Sequence, residues 1–271
     1  MTLTLKGVER VRPRKSLGQN FLRDENICRK IVAAVDAKPS DIVFEIGPGE
    51  GALTKYLATT VKRLIVVDLD ERVVARMRFM FPDIEVVNGD VLDVDLSGIA
   101  RARRENIRIV GNIPYNITSP ILFHLLDHRA AVTDAMLMVQ KEVAQRLVGQ
   151  PRTKEYGILS VMFQLFTDVE VLFDVSRNAF YPKPDVTSSV IHLTMLNKPR
   201  YQLADEQVFR SMVRSLFGKR RKMLRSSLKY FCEEYGYSLP EDLDLTRRPE
   251  ELPVEELVEL SNRLVEAARP Q

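Results

Sequence analysis

A chain of 271 residues with 45% hydrophobic and 28% charged side chains carries enough apolar material for a substantial core and enough charge to remain in water. No apolar run approaches the ~18 residues of a membrane helix, and the stretch from Met1 to Phe21 lacks the apolar core of a secretion signal. Cys28 and Cys232 stand far apart, and His124, His128 and His192 keep no ligand spacing with them. The expectation is therefore a reduced, cytoplasmic protein with neither a disulfide framework nor a metal site.

In chain order, the first feature is a basic tract from Lys6 to Lys15, five cations against Glu9 alone. A helical periodicity over Asp24–Val35 follows. Short runs rich in Val and Ile then recur at Ile42–Ile46, Leu64–Asp68, Ile84–Asn88 and Ile107–Val110, and again at Ala135–Val139, Val169–Val175 and Val186–Thr194. Helical patterns at Ala52–Thr59, Glu71–Phe81, Pro120–Leu126, Lys141–Val148 and Gly157–Phe166 lie among them. Strands alternating with helices predict βαβ units and a largely parallel sheet covered on both faces.

The run "NKPRY" (Asn197–Tyr201) ends that pattern, and a domain boundary is expected near Lys198. This gives a sheet domain over 1–197 and an all-helical domain over 198–271, with helices at Asp205–Phe217, Arg221–Tyr235 and Val254–Ala268. Lys219, Arg220, Arg221, Lys222 and Arg225 make five cations in seven residues, whereas 240–271 holds nine acids against four arginines. Net charge is only +3, so the basic tracts are local. Solvated helix faces usually mix signs, and one-sign basic tracts point to a polyanion.

Chemistry is signalled at successive strand ends. "FEIGPGEGALT" places Gly47, Gly49 and Gly51 between the first strand of the sheet and a helix, where absent side chains let a ligand approach the backbone. That is the nucleotide crevice of a doubly wound sheet. Asp68, closing the next strand, suits a pair of ribose hydroxyls, and Asp90 in "NGDVL" stands where an adenine pocket would form. Taken singly, each also has an ordinary reading as a turn or strand-end residue. The loop runs G-x-G-x-G and not G-x-G-x-x-G, which leaves the nucleotide open.

"GNIPYNITSP" (Gly111–Pro120) discriminates better. Pro114 bars a helix interior, so Asn112-Ile113-Pro114-Tyr115 continues out of the strand as a stiff loop over the same crevice. Its side-chain carbonyl, main-chain carbonyls and ring suit a flat base carrying an exocyclic amine.

"KSLGQNFL", "EIGPGEGALT", "NIPYNITSP", "YGILSV", "FYPKPDVTSSV" and "FGKRRKMLRSSL" occur in this order from Lys15 to Leu228. Together they resemble the ribosomal small-subunit adenine dimethyltransferase family, whose loss confers kasugamycin resistance. The resemblance implies a Rossmann-like class I methyltransferase sheet ending in an antiparallel hairpin, with S-adenosylmethionine as cofactor. It also implies dimethylation of two adjacent adenosines near the 3′ end of small-subunit ribosomal RNA. Asn20 and Leu22 would close over the cofactor, Gly47 and Gly49 would approach its methionine part, and Asp68 would take the ribose. The family usually carries Glu at that position.

Asp90 would accept from the cofactor's adenine, and Asn112 would touch both cofactor and target base. Tyr115 and Phe180 would sandwich the target ring. Lys219, Arg220, Arg221, Lys222 and Arg225 would hold RNA phosphates, and a monomer is expected. Three other readings stay open: a large-subunit resistance methyltransferase, a non-enzymatic assembly or transcription factor on this fold, and a dehydrogenase.

Overall fold

The computed structural model of the chain describes residues 11–218, 222–239 and 244–267. The Lys6–Arg10 part of the first basic tract and Lys219, Arg220 and Arg221 lie outside the described residues.

The elements follow the hydrophobic pattern closely. After a two-residue strand β1 (Phe21–Leu22), helix α1 (Glu25–Val35) starts at Asp24, whose carboxylate accepts from the amides of Asn26 and Ile27 at 2.9 and 3.1 Å. The parallel part of the sheet is β2 (Ile42–Ile46), β3 (Arg63–Asp68), β4 (Glu85–Asn88), β5 (Ile107–Asn112) and β6 (Val132–Gln140). Helices α2 (Thr54–Thr60), α3 (Glu71–Met80), α4 (Leu96–Arg103) and α5 (Thr118–Asp127) connect these strands. Helices α6 (Lys141–Leu147) and α7 (Ile158–Phe166) then lead to β7 (Thr167–Val175), the two-residue β8 (Phe180–Tyr181) and β9 (Ser188–Met195). The seven-stranded sheet runs β4-β3-β2-β5-β6-β9-β7, and β9 is antiparallel to β6. Every residue of β2 is buried, as a central strand covered on both faces requires.

Two elements were not legible in the periodicity. Helix α4, "LSGIARAR", buries only Leu96 and Ala100 and is started by the Asp95 carboxylate, which accepts from the Gly98 amide. The pair β1–β8 is too short to show any period; Phe21 faces Tyr181 and Leu22 faces Phe180. The Arg23 amide extends this ladder to the Ala179 carbonyl at 2.8 Å, and the Arg23 guanidinium lies 4.0 Å over the Tyr181 ring.

Polar contacts pin the far end of the sheet. Arg108 on β5 grips Asp134 on β6 through two hydrogen bonds of 2.8 and 2.6 Å and reaches Asp41 at 3.0 Å. His192 on β9 meets the same Asp134 carboxylate at 2.9 Å.

The chain divides into two compact units, one reaching Ala144 and including Glu170–Met195, the other comprising Gln145–Val169 and the chain from Leu196 onward. The second unit thus takes in a stretch that a single cut at Lys198 assigns to the sheet domain. The reason lies in α7, where Val161, Met162, Phe163, Leu165 and Phe166 are all buried, so that a broad apolar face needs cover. Within that unit α7 packs with α8 (Glu206–Gly218) and α10 (Val254–Ala267), and α8 with α9 (Leu224–Tyr235). Tyr156 donates its hydroxyl proton to the Leu252 carbonyl at 2.8 Å. Among the described residues no helix is long and apolar enough to cross a membrane.

Candidate active site

A cavity of about 310 Å³ opens at the carboxyl ends of β2, β3, β4 and β5, where ligands of open parallel sheets bind. The loop after β2 turns through three glycines in the left-handed region, with φ of +66° at Gly47, +55° at Gly49 and +84° at Gly51. Gly49 is also constrained from outside, since a Cβ there would stand 2.8 Å from the Phe21 ring. The strap carrying β1 therefore closes on the glycine loop only because that position has no side chain.

Asp68 lines the cavity from the end of β3, and its Oδ1 accepts from the Asp70 amide at 2.8 Å. Burial raises its carboxyl to about 6, against opposing backbone hydrogen bonds. Asp90 lines the cavity too while capping the turn Val91–Asp93, with its Oδ1 accepting from Leu92 at 2.9 Å. The capping and ligand-binding readings of Asp90 are compatible, because a carboxylate has a second oxygen.

Strand β5 runs on through Asn112, two residues past the expected end at Val110, so the stiff loop begins at Ile113. The Asn112 side-chain N–H donates to the Asn20 carbonyl at 2.9 Å, which leaves its Oδ1 as the acceptor facing other partners. Tyr115 follows in a single turn of 3-10 helix and shares a 2.5 Å hydrogen bond with Ser188. Burial raises the Tyr115 phenol above its usual range, against the Ser188 contact.

Asn20, Gly47, Gly49, Asp68, Asp90, Asn112 and Tyr115 thus share one cavity. Leu22 does not line it; it borders a smaller hollow of about 20 Å³ together with Gly47, Gly49 and Asn112. Phe180 borders neither, being 5% exposed and packed in the core beside Leu22 and Ala179. Lys222 and Arg225 are exposed, Arg225 in the first turn of α9. Sequence reasoning missed Leu69, an apolar side chain 55% exposed at the cavity mouth between Asp68 and Asp70. Its signal was available: an aliphatic residue directly after a strand-end acid must face the crevice or water.

Beneath the glycine loop, Glu45 on β2 is 1% exposed and accepts from the Thr54 hydroxyl at 2.7 Å. Burial pushes its carboxyl up to about 8, against the hydrogen bond from Thr54. Among the described residues, no group of three or more His, Cys, Asp and Glu side chains is placed to hold a metal ion.

A parallel sheet ending in an antiparallel insertion, with a glycine loop and two strand-end acids around a nucleoside-sized cavity, defines a class I S-adenosylmethionine-dependent methyltransferase. Solved structures agree. A dimethyladenosine transferase from Plasmodium falciparum superposes with a TM-score of 0.71 at 27% identity, covering 89% of this chain and 95% of that one. The 23S rRNA methyltransferase ErmE superposes with a TM-score of 0.64 at 29% identity, covering 91% and 100%. The sequence pattern of the family described as ribosomal RNA adenine dimethylase matches residues 10–266, and the chain belongs to that family. Among similar proteins is ribosomal RNA small subunit methyltransferase A of Chlorobium chlorochromatii (strain CaD3), 49% identical over 250 residues, 92% of this chain and 93% of the relative. The protein of the same name from Leptothrix cholodnii is 43% identical over 251 residues, 92% and 91% of the two chains.

Proposed function

We propose that the protein dimethylates the exocyclic amino groups of two adjacent adenosines near the 3′ end of small-subunit (16S) ribosomal RNA, late in subunit assembly, as a cytoplasmic monomer. The observation that carries the chemical part is the Asn112 side chain, whose N–H is taken by the Asn20 carbonyl at 2.9 Å. Its remaining oxygen can only accept, and an exocyclic amine is a donor.

The adenine amino nitrogen is a poor nucleophile because its lone pair is delocalised into the ring. Hydrogen bonds donated by its two N–H groups to Asn112 Oδ1 and the Ile113 carbonyl favour a pyramidal nitrogen and aim the lone pair. The cofactor, when bound, supplies a methyl group on a sulfonium centre with a neutral thioether as leaving group. The protein's share is then orientation, a contribution that can reach roughly 7–11 kcal/mol; the methylated nitrogen loses its extra proton to water after transfer, so no general base is needed in the transfer itself. Asp68 takes the ribose hydroxyls. Asp90 takes the cofactor's adenine amine on the oxygen not used by Leu92, and Asn20 and Leu22 close the site. Tyr115, tethered to Ser188, stacks on the target ring. Phe180 is the second stacking ring, which entry of the base has to uncover. A base that must reach this depth has left its own stack, which favours a loop or single-stranded target. Lys219, Arg220, Arg221, Lys222 and Arg225 hold its phosphates.

Small-subunit specificity is supported by the names of the relatives from Chlorobium chlorochromatii and Leptothrix cholodnii. The likeness to ErmE supports a second reading, a large-subunit target. Transfer of labelled methyl groups to separately purified, unmethylated small and large subunits, followed by mapping of the modified bases, decides. Label on two adjacent adenosines near the 3′ end of the small-subunit RNA is the expected result; label confined to the large subunit overturns it.

A further inference from the structure

The small hollow beside the main cavity has walls that contradict its apparent emptiness of purpose. Its volume of about 20 Å³ is room for one water-sized group. It shares Phe21, Gly47, Gly49 and Asn112 with the main cavity, so it adjoins the glycine-loop end of that space. Two carboxylic acids border it, Glu45 and Glu50. Glu45 has its partner in the Thr54 hydroxyl at 2.7 Å. Glu50 differs: its Oε1 is buried and, among the described residues, has no hydrogen-bond partner. Native proteins seldom leave a buried carboxylate oxygen unanswered, because its desolvation goes uncompensated. A ligand group is the natural partner, and it has to be a donor, small, and attached to whatever fills the main cavity.

S-adenosylmethionine offers such a group. If Asp68 and Asp90 hold its nucleoside, its amino-acid end falls on the glycine-loop side, and the α-ammonium is a compact three-proton donor. We propose that Glu50 takes the α-ammonium of the cofactor's methionine end at this hollow. Glu50 is thus a positioning residue that selects nucleoside thioethers carrying an amino-acid tail. Satisfying Oε1 couples the tail to the loop whose glycines define the cavity wall, and so sets the depth at which the sulfonium sits. The assignment rests on the cavity's being the cofactor site.

The test is calorimetric titration of the full-length protein and its Glu50→Gln variant with three ligands: S-adenosylhomocysteine, its decarboxylated 3-aminopropyl analogue, and 5′-deoxy-5′-methylthioadenosine, which lacks the tail. Loss of a charge-assisted hydrogen bond should weaken the two amine-bearing ligands by about ten- to a hundredfold. Methylthioadenosine, which never reaches the hollow, should bind both proteins alike. Glu50→Asp, which keeps the carboxylate on a shorter arm, should recover part of the discrimination. Equal losses on all three ligands would assign Glu50 a structural part in the loop and overturn the proposal, as would no loss on any. Loss confined to the carboxylate-bearing ligand overturns it as well. Failure of the wild-type protein to bind any of the three would instead remove the cofactor reading on which it stands.

Discussion

Asp68 answers two demands on one carboxylate: its Oδ1 is held by the Asp70 amide, and its burial raises the carboxyl to about 6. Ribose hydroxyls donate to the ionised form, so binding should drive proton release from this group. The sign follows. Above pH 6 the carboxylate is already ionised and affinity is flat; below it, affinity should fall, approaching about tenfold per pH unit as proton loss becomes part of binding. Calorimetry on wild type and Asp68→Asn checks this, since the variant should bind weakly and lose the pH dependence. A wild-type profile that stays flat down to pH 5 would move the ribose contact elsewhere, with Asp70 next in line. At Asn112, truncation to Ala removes the one side-chain acceptor proposed for the target amine. Turnover should drop at least ~100-fold, as for other preorganised polar contacts, while RNA affinity measured by filter binding is retained. Near-normal single-turnover rates would rule out the assignment.

At the scale of elements, the strap formed by β1 and β8 and the glycine loop after β2 are fitted to one another. Phe21 occupies the space a Gly49 Cβ would need, at 2.8 Å, and Gly49 holds φ of +55°. Gly49→Ala therefore meets both a left-handed backbone penalty of roughly 1–2 kcal/mol and a displaced strap. We expect a lower thermal midpoint and cofactor affinity reduced by more than about tenfold; unchanged affinity would show that strap and loop move independently. Gly111 has a comparable role within the sheet, because a Cβ there would lie 2.9 Å from the Ile46 carbonyl. The central strands of this unit were legible because their buried runs are bounded by turn residues, β2 being the continuous "IVFEI". Helix α4 was not, since arginines and a glycine dilute its apolar stripe to two residues. The strap was not legible either: two residues cannot show alternation, and its partner lies more than 150 residues away in sequence.

At the scale of the molecule, chemistry and RNA grip should be separable. Arg220, Arg221 and Lys222 stand in the C-terminal stretch, far along the chain from the glycine loop. Reversing all three to Glu should leave cofactor titrations unchanged while RNA binding falls sharply. Each lost phosphate contact should also reduce the slope of log affinity against log salt by roughly 0.7–0.9. An unchanged slope with unchanged methylation would mean that these cations are ordinary surface. The tract from Lys6 to Lys15, of which Arg12, Arg14 and Lys15 are exposed, would then be the candidate grip.

The sequence by itself determined the alternation of strands and helices, the three strand ends that line the cavity and the residues of the stiff loop after β5. Each of these is local: burial on both faces forces continuous apolar runs, and turns that touch ligand demand Gly, Pro, Asn or Asp in place. Only the tertiary structure decided the rest. It drew Gln145–Val169 to the C-terminal helices, because the broad apolar face of α7, with Val161, Met162, Phe163, Leu165 and Phe166 buried, needs cover. It buried Phe180 in the core beside Leu22, where a lone aromatic before a Pro-rich turn could as well have faced solvent. It left Glu50 with a buried oxygen that no described residue answers. Such outcomes depend on which distant surfaces meet, and distance along the chain carries no record of that.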